Sequence, residues 1–384
     1  MTLDLSEILA IKQARHWFAE VNQLYHPTGE LEQDKWDVVY SSGLLNTTKF
    51  DPILLKEWFY LVGLGGQLII DYQPSSSFSF RELEENMWWL WKGKYEILYH
   101  GPTQQPGEQR FICQKIQSTA VLEDSIDKWS FGIITNGKRK DLLERIIQAI
   151  KSQNIPHYEI IVCGTYYDRK EKHFRYVPFN QRDDRGWITR KKNIIAQHAQ
   201  YENLCIVHDR MMPDKNWYRG MKKWGNCFEV LSVIQRQEIT GDTGNHWEYF
   251  PLIVYKKISR YLVKPLLHFS ARLDPRDWFE NIILYGQVII CKRRILLACP
   301  QNETMYWQSP EDHVFSQDLL NSGYIPRLNN LSVLVNLDTK KWRNDTQLIY
   351  SFSSRLKFVG PALKLACREI ITRIASIIRP FKVV

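Results

Sequence analysis

Two short clusters in this 384-residue chain have residue types suited to chemistry. The first is Ser309-Pro310-Glu311-Asp312, where two carboxylates stand side by side at the head of an apolar-periodic segment. A carboxylate can take a proton from a hydroxyl as that hydroxyl attacks. The same residues also read as a capped helix start, with Ser as N-cap, Pro in the first turn and acids favoured by the helix dipole. The second cluster, His208-Asp209-Arg210, follows the apolar run Leu204-Cys205-Ile206-Val207. An imidazole and a carboxylate can hold a divalent cation. A guanidinium instead pairs with phosphate through its planar fork. Without context this cluster is also an ordinary polar turn after a strand. His313 is either a further metal ligand or a surface histidine.

The elements that must position these clusters come next. SFGIIT (130–135) predicts a strand. KDLLERIIQAIKSQ (140–153) predicts an amphipathic helix with Leu142, Leu143, Ile146, Ile147 and Ile150 on one face, ended by Asn154 and Pro156. YEIIVCGT (158–165) predicts the next strand. Ligands of doubly wound sheets gather at the carboxyl ends of such strands, which nominates Thr135, Asn136 and Gly164 for a nucleotide.

Residues 186–218 read as a basic helix, a strand, a polar turn and a second helix start. This run resembles family 2 glycosyltransferases. Lys191, Lys192 and Asn193 match that family's basic helix motif, Leu204 to Val207 its strand, and Met211-Met212-Pro213-Asp214 the exit. His208-Asp209-Arg210 then stands where the family has Asp-x-Asp. Residues 285–324 are similar to the family's later half, with Glu311-Asp312 at its acidic pair. The resemblance implies a GT-A domain, a Rossmann-like α/β fold that binds a nucleotide sugar. It implies an inverting hexosyltransferase-like enzyme, with Asp312 as first and Glu311 as second choice of base. Donor binding would fall to Thr135, Asn136, Gly164, Lys191, Lys192, Asn193, Asp209 and Arg210. Mn²⁺ or Mg²⁺ would sit on Asp209 with His208 and His313, although the altered Asp-x-Asp position leaves open direct pairing of Arg210 with phosphate. The turn-rich stretch GDTGNHWEYF (241–250) nominates Asp242, His246 and Trp247 for the acceptor; it also reads as a surface loop with aromatic anchors.

The first 120 residues have strand–helix–strand order and predict a separate α/β sheet. WDVVYSSGLLN and LVGLGGQLIID resemble the second half of a class I methyltransferase domain. The glycine-rich turn that would approach a cofactor does not precede Trp36, so this partial Rossmann-like segment is expected to be a non-catalytic scaffold. YEILYH and RFICQKI predict a closing antiparallel pair. The expected divisions are 1–120, 128–345 for the GT-A domain, and a basic helical tail at 355–384, with a polar linker at 118–128.

Charge and cysteine usage narrow the class. Residues 1–120 carry 10 Lys+Arg against 15 Asp+Glu, and the remainder 41 against 27, so the positive field belongs to the later part. It suits a nucleotide diphosphate or an anionic membrane surface. No nucleic-acid motif is present, and nucleic acid is not expected as a partner. Seven scattered cysteines without Cys-x-x-Cys imply reduced thiols and a cytoplasmic setting. Neither a secretory leader nor a spanning segment is read. The tail holds seven Lys+Arg and one acid, with Leu363, Cys367, Ile370, Ile374 and Ile377 at helical spacing. That pattern suits peripheral binding to anionic lipid or packing on the enzyme's own core. The resulting expectation is a transferase acting on a glycan or lipid-linked acceptor in polysaccharide or glycolipid assembly. The alternative is a non-catalytic nucleotide- or sugar-binding protein on the same fold.

Overall fold

The structure is a computed structural model that describes residues 16–18, 34–47, 51–75, 78–119, 124–167, 170–183, 185–241, 243–244, 251–257, 263–269, 284–307, 309–324 and 326–338. Met1–Thr339 form one compact unit and Lys340–Val384 a second. Asp242, His246, Trp247 and the basic tail lie outside the described residues.

The first sheet is built from β1 (His16–Phe18), β2 (Trp36–Ser42), β3 (Val62–Tyr72), β4 (Tyr95–Pro102) and β5 (Gln109–Lys115). Its order is β1-β2-β3-β5-β4, with the first three parallel and β5 antiparallel to both neighbours. Between them run α1 (Leu44–Thr47), α2 (Asp51–Leu61) and α3 (Phe80–Trp91). α2 stops at Leu61 because Val62 already pairs with Trp36. Glycines 63, 65 and 66 then favour extended or turn backbone over helix. α3 opens on a capping box in which Ser79 N donates to Glu82 Oε2 at 2.9 Å. Trp58, Phe59, Leu68, Ile70, Tyr72 and Phe111 fill the core between helices and sheet.

The second sheet carries the chemistry-bearing residues. Along the chain come β6 (Lys128–Thr135), α4 (Lys140–Lys151), β7 (His157–Gly164), β8 (Phe174–Pro178), α5 (Ile188–His198), β9 (Asn203–His208), β10 (Met211–Pro213) and α6 (Trp217–Trp224). β11 (Val230–Gln237), β12 (Thr243–Gly244), the hairpin β13 (Pro251–Lys257) and β14 (Val263–Phe269), β15 (Val288–Lys292), α7 (Arg293–Ala298), α8 (Glu311–Asn321) and β16 (Pro326–Asn336) follow. The order is β10-β16-β11-β15-β9-β6-β7-β8, with β12 on β11. β9, β6, β7 and β8 are mutually parallel. Strands covered on both faces need apolar residues on both, and β6 is buried from Trp129 to Thr135. One face packs Trp129, Phe131 and Trp217 against α4 through Leu143, Ile146, Ile147 and Ile150. The other packs Ile134, Ile161 and Ile206 against Ile195 of α5. Each such buried aliphatic side chain contributes about 2 kcal/mol.

The two sheets meet over buried charge. Lys56 of α2 pairs with Glu229 and donates to the Gly323 carbonyl just past α8. Tyr60 Oη donates to Glu229 Oε1 at 2.8 Å. Burial pushes the Lys56 ammonium down, and Glu229 opposes it. Removing one partner of such a pair leaves the other charged and uncompensated. Lys56→Met should therefore destabilise the compact unit by about 3 kcal/mol, read as a lower denaturant midpoint. Lys56→Met combined with Glu229→Leu should recover part of that loss.

Candidate active site

The chain leaves β6 through α4 to β7 on one side and later returns to place β9 on the other. The crevice of this parallel region therefore opens between the ends of β6 and β9. Thr135 Oγ1 donates to Asp209 Oδ2 across that gap at 2.7 Å. Asp209 N also donates to Ile134 O at 3.2 Å, and Gly137 N donates to Thr135 Oγ1 at 3.0 Å. Asn136 closes the following turn by accepting Lys138 N at 3.1 Å. Gly164, at the end of β7, lies against the same point: a Cβ there would fall 1.9 Å from Thr135 O, and its φ is +138°. A side chain at 164 is thus excluded by space and by backbone. Thr135, Asn136, Gly164 and Asp209 are accordingly one cluster.

The three residues of the basic helix motif divide in role. Lys191 Nζ donates to Thr135 O at 3.0 Å and pairs with Asp183, so its charge is used inside the fold. Asn193 Nδ2 donates to Gln301 O at 2.9 Å while its Oδ1 accepts Gln301 N at 2.9 Å. With Trp187 Nε1 to Glu303 O at 2.7 Å and Thr189 Oγ1 to Met305 O at 2.7 Å, this pins the loop that leads into α8. Lys192 is fully buried, and its Nζ reaches Gln301 Oε1 at 3.4 Å. Burial pushes this ammonium down to about 8, with Glu311 and then Asp312 opposing.

The acidic pair sits over the turn that meets the end of β9. His208 N donates to Gln287 O at 3.1 Å, and Gly286 N donates to Asp312 Oδ2 at 3.4 Å. A Cβ on Gly286 would come within 2.4 Å of Glu311 Oε1, so a side chain there would push that carboxylate aside. Burial pushes the Glu311 carboxyl up, and Lys192 opposes this. Ser309 does not cap the helix. The N-cap is Pro310, Ser309 Oγ accepts Tyr306 N at 3.2 Å, and Asp312 Oδ1 accepts His313 N at 2.9 Å. The tight turn before α8 uses the serine, and the helix begins one residue later. Ser316 anchors the first turn, accepting Leu284 N at 2.8 Å and donating to Asp312 O at 2.6 Å. Gln301 and Ser316 carried no sequence signal, because each works through a partner distant in the chain.

The metal expectation meets a different donor set. Burial holds the His208 imidazole well below its ordinary value, with the charges of Lys192 and Arg210 adding to the effect. Its Nε2 is buried without a hydrogen-bond partner. His313 is exposed on α8, and one Asp209 oxygen is taken by Thr135. Among the described residues no three His, Cys, Asp or Glu side chains gather into a group able to hold a metal. Divalent magnesium requires near-octahedral oxygen ligation. Asp209 is the one carboxylate of the His208-Asp209-Arg210 cluster, and a cation there would complete its shell with phosphate oxygens and water.

No protein-family model matches the chain, and no curated protein does. Among solved structures it is similar to S. aureus TarS, with TM-score 0.38, 12% identity, and coverage of 55% of this chain and 37% of that one. It is also similar to TarS 1–349, with TM-score 0.38, 13% identity, and coverage of 54% and 60%. TarS 1–349 in complex with UDP-GlcNAc gives TM-score 0.39, 12% identity, and coverage of 56% and 60%. The chain therefore spans less than two thirds of the length of each of these structures. Similarity at this level assigns neither a family nor an activity.

Two outcomes follow from the geometry. Gly286→Ala should leave the fold standing, because a flexible carboxylate can yield, but should displace Glu311 and lower turnover; paired melting and activity curves check this. Lys192→Met should raise stability at pH 7 by up to about 3 kcal/mol, since a lysine pushed from 10.5 to about 8 penalises the folded state. Between those two values the unfolded chain binds more protons than the folded one, so wild-type stability rises with pH. The advantage of the variant should therefore shrink from pH 8 upward in denaturant titrations.

Proposed function

We propose that the chain is a glycosyltransferase that moves a sugar from a nucleotide-sugar donor to a hydroxyl acceptor. The observation that carries this is the placement of Glu311 and Asp312 over Gly286, at the end of β9 and beside the crevice that Thr135 and Asp209 bridge. A nucleotide bound at the strand ends would present its sugar toward a carboxylate pair. In the inverting version Asp312 takes the acceptor proton as the hydroxyl attacks the anomeric carbon, and Glu311 is the second candidate. Charge building on that carbon resembles the oxocarbenium character of glycoside hydrolysis. Lys192, beneath the pair, favours the ionised form of Glu311. Asp242, His246 and Trp247 remain proposed acceptor contacts.

A glycan or lipid-linked acceptor at an anionic cytoplasmic membrane face, docked through the basic tail, belongs to the same proposal. No helix among the described residues is long and apolar enough to cross a membrane. The N-terminal sheet is proposed as a scaffold that supports α8 through Lys56. The experiment is hydrolysis and transfer with a panel of nucleotide sugars. Asp312→Asn should lower turnover about 100-fold or more with donor binding retained. Wild-type protein that binds nucleotide sugars but turns none over would favour the binding-only alternative.

A further inference from the structure

We infer that the donor diphosphate is held by an arginine pair, Arg139 and Arg210, which displaces the internal carboxylate of Asp338 and takes the place of a divalent cation. This rests on the nucleotide-sugar reading above and specifies how its donor is recognised. Both guanidiniums belong to the crevice. Arg210 directly follows Asp209, whose side chain is bonded to Thr135, and Arg139 ends the short turn that follows Thr135. They converge on one acid. Arg210 Nη1 lies 3.3 Å from Asp338 Oδ2, and Arg139 Nη2 lies 4.0 Å from Asp338 Oδ1.

The two guanidiniums share Asp338, with Asp209 a further acid beside Arg210, and they keep spare donors. Arg210 Nε is buried with no hydrogen-bond partner, and Arg139 is more than a third exposed. Burial pushes the Arg210 guanidinium down; Asp338 opposes this, and Arg139 adds to it. A diphosphate offers this pair more acceptor oxygens and more charge than one carboxylate does, and arginine forks match phosphate geometry. Asp338 is held in place by the fold. β10 pairs with β16 in a register that sets Met211 opposite Asn336, and Leu337 N donates to Arg210 O at 2.8 Å. The carboxylate thus occupies an anion's position when no nucleotide is bound. The same charges argue against a metal: Lys192 and Arg210 flank His208, and the Asp-x-Asp position supplies a single acid.

The test is calorimetric titration of the full-length chain, dialysed against EDTA, with uridine, guanosine, adenosine and thymidine diphosphates. At least one should bind, with affinity changed less than threefold by adding Mn²⁺. Arg210→Met and Arg139→Met should each weaken it about tenfold, and Arg210→Lys should fall between wild type and Arg210→Met. Asp338→Asn should tighten binding severalfold by removing the competitor. Thermal melting establishes which variants fold; if Arg210→Met does not, Arg139→Met and Asp338→Asn carry the test. Binding that EDTA abolishes and Mn²⁺ restores would overturn the arginine-pair assignment and leave the nucleotide-sugar function standing. Weaker binding by Asp338→Asn would also overturn it. Absence of binding with and without Mn²⁺ would end both.

Discussion

The hydrogen bond between Thr135 and Asp209 ties together the ends of two adjacent parallel strands whose connections leave in opposite directions. Around it the backbone has little freedom. Gly164 presses against the Thr135 carbonyl, Lys191 caps that carbonyl from the helix behind, and Gly137 donates to the threonine hydroxyl. A crevice whose floor is laced this tightly can present its rim residues with small positional error. Preorganised polar groups of this kind act without reorganising when charge develops. The rim residues are Arg210 on one side and, one strand along, Glu311 and Asp312 at the head of α8, over the turn before β15.

Buried lysine is the second recurring device. Lys115 donates to the carbonyls of Phe59 at 2.9 Å and Val62 at 2.8 Å and pairs with Asp34. Lys292 gathers Asp124, Asn203 and Asn226 at 2.7 to 2.9 Å. Each replaces its lost water with several oxygens, as a buried charge requires. Lys192 has one distant amide oxygen and two nearby carboxylates instead. It is the poorly compensated member of the set, and it is the one beneath the acidic pair. Local instability concentrated at a functional position is a common consequence of selection for activity.

The sequence made the core of the second sheet legible because both periodicities are strong there. β6 is apolar on both faces, and α4 repeats its buried residues at helical spacing. The antiparallel β4–β5 pair was readable from two strand-length runs, although β4 itself is largely exposed. The acidic pair and the His208-Asp209-Arg210 cluster stood out as local residue strings. What the string could not give was direction. Resemblance alone assigns Lys191 and Lys192 to donor binding; in the fold Lys191 turns to the Thr135 carbonyl and Asp183, and Lys192 to Gln301. Ser309 read as a cap because spacing allowed it; only the turn at Tyr306 shows where its hydroxyl goes. The convergence of Arg139 and Arg210 on Asp338 joins residues separated by 128 positions or more, which no local pattern encodes.

Lys56 reaches the Gly323 carbonyl, just past one end of the helix whose other end carries Glu311 and Asp312. That contact makes the N-terminal sheet a bracket for the acidic helix rather than a neighbour of it. A shortened protein starting at β6 would keep every residue of the crevice and still lose its grip on α8. It would also uncover the face on which Cys227 packs against the first sheet's core. The two sheets are therefore mechanically one part. What the first sheet adds to the crevice is mechanical: through Lys56 it stiffens the joint at the far end of α8.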